Sequence, residues 1–300
     1  MQLHGSICAL VTPFGADETI DFSSLRNLID WHVLSGTSAL VIAGSTGEAA
    51  LLDDAEYAEL IAVAVSAAAG RLPIIAGIGS PSTRKSLLLA RQARAAGADL
   101  LLAVTPYYVR PTQQGLVLHY RQLADECDLP LILYNVPGRT GCDLLPETAA
   151  LLAAHPQIVG VKEAVADESR MRELLALASP QFAVFSGDDP TALRAMTAGA
   201  VGTISVAANV APRAFAKLCA DAAARRFAEA VAWDQLLQPI YAALGVQPNP
   251  IPAKWLLQRL GRLDGGLRLP LHELATEHRQ AVDACLTDIH RCEATMRDAN

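Results

Sequence analysis

The sequence predicts a (β/α)8 (TIM) barrel over residues 1–210 and a small all-helical subdomain over 211–300. Three observations carry this. Short apolar segments begin near Ile7, Ala39, Ile74, Leu100, Leu131, Ile158, Phe182 and Val201, at intervals of 32, 35, 26, 31, 27, 24 and 19 residues. Each interval fits one βα unit. The segments are apolar on both faces, as parallel strands buried between helices are. And Gly77-Ile78-Gly79 lacks the third glycine of a dinucleotide fingerprint, so eight repeats favour closure over a doubly wound open sheet.

The elements follow in order. Strand one is ICALV from Ile7, and Asp21 or Ser23 opens the helix SSLRNLIDWHVL. Strand two, ALVIAG, runs into the turn Gly44-Ser45-Thr46-Gly47-Glu48. Asp53 opens the next helix, with acids in its first turn and Gly70 at its end. IIAGI, LLLAV and LILYN supply strands three to five, and Pro146-Glu147 opens a helix before the sixth strand, IVGVKEA. After FAVFSG, Asp188 or Asp189 is expected to cap a helix starting at Pro190. VGTISV is strand eight. Beyond it only helical pattern continues, over 211–244, 252–260 and 273–296, broken at Gly245–Pro252 and Gly261–Pro270.

Composition narrows the function classes. Of 300 residues, 52% are hydrophobic and 18% charged, which excludes a disordered chain. Aromatics are 5%, so the core is aliphatic and alanine-rich. A net charge of −7 argues against a non-specific grip on nucleic acid or anionic membrane, although a local basic site can still take an acidic small molecule. No leader pattern opens the chain and no apolar run approaches the roughly 18 residues of a membrane span, so a cytoplasmic protein is expected. The six cysteines show neither CxxC nor zinc spacing and read as buried thiols of a reducing compartment. His272-Glu273 starts like HExxH, but Thr276 stands at the second histidine. Neither a metal nor an organic cofactor is expected.

Barrel active sites lie at the carboxyl ends of the strands. Strand six ends at Lys162, whose ammonium is pushed into an apolar interior. Desolvation lowers a lysine pKa from about 10.4 toward neutrality, and a neutral amine can form a Schiff base with a carbonyl. The competing reading is a lysine paired with Glu163 or a nearby carboxylate. Strand five ends at Tyr134, a phenol able to shuttle protons, or else a satisfied core tyrosine. The Ser45-Thr46 turn can converge backbone N–H groups on an anion, or be an ordinary βα turn. Arg139, in the loop VPGRTG, suits a carboxylate, whereas a lone arginine is more often solvated surface. Tyr107 and Tyr108 follow strand four, and such a pair marks either a wet pocket rim or loop packing. Gly187 lets a ligand approach the backbone, and Ile204 ends strand eight.

Taken in order, GSTGE at 44–48, TPYY at 105–108, YNVPGRTG at 134–141, VGVKEA at 159–164, SGDD at 186–189 and NPIP at 249–252 resemble the dihydrodipicolinate synthase/N-acetylneuraminate lyase family of pyruvate-dependent class I aldolases. The resemblance covers nearly the whole chain, and the arginine of YNVPGRTG looks like the synthase branch. It implies an imine between Lys162 and pyruvate. It implies a proton relay of Tyr134, Ser45 and Tyr108, the last donated by the adjacent subunit of a tight dimer, with a tetramer built from such dimers. It implies that Ser45 and Thr46 hold the pyruvate carboxylate, that Arg139 binds aspartate 4-semialdehyde, and that Gly187 and Ile204 line the site. The product would be 4-hydroxy-tetrahydrodipicolinate. Ser45 stands where the synthase usually has threonine, which leaves a sugar-acid aldolase, lyase or dehydratase as the alternative; a silent ligand-binding barrel is opposed by the intact Lys162, Tyr134 and Arg139. At the positions matching the family's feedback lysine site the chain has Asp54, Tyr57, Pro81 and Lys85, so weak or absent lysine inhibition is expected.

Overall fold

A computed structural model describes residues 3–294. Eight parallel strands close into a barrel in sequence order: β1 Gly5–Ala9, β2 Ala39–Ile42, β3 Ile74–Gly77, β4 Leu100–Val104, β5 Leu131–Asn135, β6 Ile158–Glu163, β7 Ala183–Ser186 and β8 Gly202–Ser205. The expected barrel is therefore the fold. Alternation along each strand divides the apolar residues into two cores. Ile7, Val41, Leu102, Ile132, Phe185 and Ile204 fill the barrel interior. Cys8, Leu40, Leu101, Leu133 and Val184 face outward and meet the helices. All six cysteines are free and buried.

The ring helices begin where polar caps allow. In α1, Phe22–Ser35, the Asp21 carboxylate accepts from the Ser24 N–H, and Gly36 ends the helix in left-handed backbone, φ 83. In α2, Asp54–Ala68, Asp53 and Glu56 form a capping box. Ser82, Thr112 and Asp167 cap α3 (Thr83–Ala95), α4 (Gln113–Glu126) and, after the one-turn α5 (Pro137–Thr140) and α6 (Pro146–Ala153), α7 (Glu168–Leu175). Proline opens α5 and α6.

Two expectations change after β7. The helix there, α8 Ala192–Ala198, starts later than Pro190, behind a single 3-10 turn. Neither aspartate makes the expected cap. Asp188 binds the Thr191 hydroxyl, while Asp189 turns inward and accepts the N–H groups of Val206 and Ala207 at 3.1 and 2.7 Å. Burial of Asp189 leaves the start of the β8 loop as its source of donors.

The run 211–244 is two helices, α9 Pro212–Ala223 and α10 Phe227–Leu244. Between them Arg225 has φ 57, and the buried Asp221 side chain accepts from Arg226 Nε at 2.9 Å and Trp233 Nε1 at 3.1 Å. These contacts turn the chain. α9 packs against β1, β8, α8 and α1, so it serves as the last ring helix. α10, α11 (Ile251–Arg259) and α12 (Thr276–Ala294) form the helical extension. α9 also packs on α10 and α12, so it lies between the barrel and the helices that follow. Residues 295–296 of the helix expected over 273–296 lie outside the described residues. No described helix is long and apolar enough to cross a membrane.

Candidate active site

The carboxyl ends of β2, β3, β4 and β5 surround a cavity of about 300 Å³ lined by Ser45, Tyr107, Tyr134 and Arg139, and closed on one side by Pro248–Pro250 and Leu271 of the extension. Strand register fixes what stands beside Tyr134. Tyr134 on β5 is the direct neighbour of Lys162 on β6, which is next to Phe185 on β7. Val161 and Glu163 face the helices, so the residue between them faces the interior. Lys162 is 4% exposed, with its Nζ 4.2 Å from the centroid of the Tyr134 ring. Gly187, at the end of β7, makes room for it: a methyl group there would lie 2.7 Å from Lys162 Cε and 2.9 Å from Cγ. Ile204 is fully buried in the barrel interior.

The 44–48 turn is compact. Gly47 is held by the Thr12 hydroxyl donating to its carbonyl at 2.7 Å, and a Cβ on Gly47 would press on Leu10 O at 3.1 Å. Glu48 and Ala49 N–H groups close back onto the Ser45 and Gly44 carbonyls. The amides of Ser45 and Thr46 make no hydrogen bond to the rest of the described chain. They are donors available to an anion. Thr46 Oγ1 accepts from Asn249 Nδ2 at 2.8 Å.

Arg139 sits on the one-turn α5 and donates from Nη2 to the Asn249 carbonyl at 3.0 Å. The loop carrying it is anchored behind the barrel. Asn135 Nδ2 donates to Asp143 at 2.9 Å and to Glu163, and Asn135 Oδ1 accepts the Leu144 N–H. Arg170 binds Glu163 at 2.8 Å and Asp143 at 2.7 Å. Burial raises the Glu163 carboxyl above its usual range, with Arg170 pulling the other way. Glu163 is thus engaged with Arg170 rather than with Lys162.

The structure brings Lys162, Tyr134, Ser45, Thr46, Arg139 and Gly187 to one end of the barrel. It leaves Tyr108 outside its own chain's cavity, 91% exposed in left-handed backbone with φ 72; Tyr107 lines the cavity instead. Asn135 and Asn249 were not anticipated as site residues. The only sequence signals for them are their places in YNVPGRTG and NPIP. Among the described residues no group of His, Cys, Asp and Glu is placed to hold a metal ion. Chemically, a lysine amine beside a phenol, an amide-rich turn and a guanidinium at the rim can hold an acidic carbonyl compound and move protons on it.

Known proteins agree with this geometry. The chain is 52% identical over 294 residues to the 4-hydroxy-tetrahydrodipicolinate synthase of Stenotrophomonas maltophilia (strain K279a), covering 98% of this chain and 99% of that protein. The dihydrodipicolinate synthase of Acinetobacter baumannii, complexed with pyruvate, superposes with a TM-score of 0.94 at 44% identity, covering 96% of this chain and 99% of that one. A monomeric dihydrodipicolinate synthase variant superposes with a TM-score of 0.93 at 36% identity, covering 96% and 97%. The family model described as "Dihydrodipicolinate synthetase family" matches residues 2–289, and the chain belongs to that family.

Proposed function

We propose that the chain is a lyase of the Schiff-base aldolase type that condenses pyruvate with aspartate 4-semialdehyde to 4-hydroxy-tetrahydrodipicolinate, in lysine and diaminopimelate biosynthesis in the cytoplasm. The observation that carries the reading is Lys162 Nζ 4.2 Å from the centroid of the Tyr134 ring, the tyrosine that lines the cavity together with Ser45 and Arg139. Family membership and the named relatives support the same substrates.

The amine of Lys162 attacks the pyruvate ketone carbon, and the resulting carbinolamine loses water. Tyr134, linked to Ser45, passes the proton to the departing hydroxyl. The amides and hydroxyls of Ser45 and Thr46 hold the pyruvate carboxylate. The iminium is an electron sink: a methyl proton leaves and an enamine forms. The enamine carbon attacks the aldehyde of the second substrate, whose carboxylate Arg139 holds bidentately. The substrate amine then displaces Lys162, which frees the enzyme and closes the ring. Every bond is made by the two substrates and the lysine, so the chemistry calls for no further cofactor. Gly187 and Ile204 shape the floor.

The exposed Tyr108 completes the relay from a second copy of the chain, so the working unit is at least a dimer, with a tetramer of tight dimers as the full assembly. Pyruvate followed by borohydride should give a stable adduct seen by mass, absent in Lys162→Ala, and diluting the protein below its dimer dissociation range should cut condensation. An adduct that survives Lys162→Ala defeats the imine assignment, and a fully active monomer defeats the shared tyrosine. Arg139 in YNVPGRTG favours the semialdehyde over a sugar acid.

A further inference from the structure

We propose that Glu48 and Lys254 are positioning residues for pyruvate. Their buried ion pair, formed across the seam between barrel and helical extension, holds the 44–48 turn in the shape that presents Ser45 and Thr46 to the substrate carboxylate. The inference rests on the reading of that turn given above.

Glu48 stands in left-handed backbone, φ 56, which a residue with a side chain occupies only when its surroundings enforce it. Its carboxylate pairs with Lys254 Nζ on α11, and both side chains are fully buried. Charges withdrawn from water demand further partners. Lys254 finds them in the Gly266 carbonyl at 2.7 Å and the face of the Phe14 ring, 4.2 Å from Nζ to the centroid. Burial still pulls the Lys254 ammonium down to about 8, against the opposing pull of Glu48. A buried pair of this kind is weak evidence for stability, because apolar residues of similar volume often do as well or better. Its place on a strained turn beside the cavity points to geometry instead.

The neighbouring contacts have the same direction. Asn249 Nδ2 donates to Thr46 Oγ1 at 2.8 Å, and Arg268 Nη1 donates to the Leu51 carbonyl at 2.9 Å while its guanidinium also pairs with Glu56 on α2. Positions 46, 48 and 51 of one loop are therefore each tied to the extension. The tie at 48 is the buried one, and it belongs to the residue whose backbone is strained. Cutting it lets the turn relax and spreads the Ser45 and Thr46 donors. The carboxylate is held alike in ground and transition states, so the loss falls on KM more than on kcat.

The double variant Glu48→Gln/Lys254→Met removes both charges while keeping side-chain length and buried volume. It is expected to melt close to the parent, with KM for pyruvate raised about tenfold or more and kcat lowered less than about threefold. A purely structural pair would shift melting and leave KM alone, so a folded double variant with parental KM overturns the inference. If the double variant does not fold, Glu48→Gln alone decides, since its amide oxygen can still accept from Lys254. There a rise of about threefold supports the inference and an unchanged KM overturns it. Failure of the site reading is separate, because it shows as pyruvate trapping that persists in Lys162→Ala.

Discussion

At the scale of single residues, Gly187 governs where the Lys162 amine can go. Its backbone lies in an ordinary region, so the requirement is space and not φ. A methyl group would meet Lys162 at Cε and Cγ, in mid-chain, where the side chain cannot swing clear without moving its nitrogen. Overpacking of this kind costs about 1–3 kcal/mol of stability, but a misplacement of about 1 Å costs on the order of 10²-fold in rate. Gly187→Ala should therefore keep its fold and slow borohydride-trapped imine formation by roughly that factor. Trapping at the parental rate would show that the lysine has another route to pyruvate. Residues of this type were legible in part. Lys162, Tyr134, Ser45 and Arg139 stand out in the sequence because each lies at or just beyond the end of a recognisable strand. Asn249 does not, because its partners Thr46 and Arg139 lie 203 and 110 positions away and only the folded chain brings them together. Asp189 misled for a related reason: an aspartate before a proline reads as a helix cap, whereas here burial sends it to the amides of the β8 loop.

Among elements, α2 and α3 lie side by side, and one contact between them bears on regulation. Lys85 in the first turn of α3 pairs with Asp54 in the first turn of α2. Both side chains are about half exposed, so the pair adds only about 0–1 kcal/mol to stability. Its charge pattern matters more. The resemblance places feedback lysine against Asp54, Tyr57, Pro81 and Lys85, and Lys85 sets an ammonium where a bound amino acid would bring its own. Like charges there oppose binding. Pro81 offers no side-chain hydrogen bond to compensate. Condensation assayed over a lysine titration should show no half-effect below the millimolar range, and sub-millimolar inhibition would refute this. The strands themselves were legible to within two residues, since burial on both faces writes an unbroken apolar run. The break between α9 and α10 was not. It is made by Asp221 reaching Arg226 and Trp233, a tertiary contact inside what reads as one helical pattern.

For the whole molecule, the buried histidines set how the fold responds to acid. His32 on α1 is fully buried with Nδ1 on the Thr37 hydroxyl at 2.8 Å, and burial pulls it down to about 3. His119 on α4 faces the Thr83 hydroxyl at 2.8 Å, and burial pulls it down to about 4. Both values lie below the ordinary 6.5, so the unfolded chain binds protons that the folded chain refuses. Stability is then complete above about pH 6.5 and falls as pH drops, until the folded values are reached. Each such histidine contributes a slope of up to about 1.4 kcal/mol per pH unit. Glu163, Asp189 and Glu293 act in the opposite sense, because burial raises them and protonation relieves their cost. The histidine contribution is lost across the window from pH 6.5 down to about 4. Denaturation midpoints should decline across that window. His32→Gln keeps a neutral partner for Thr37 and removes one titrating group, and it should flatten the decline by about one proton. An unchanged slope in that variant would place the acid sensitivity elsewhere, at His119 or another titrating group.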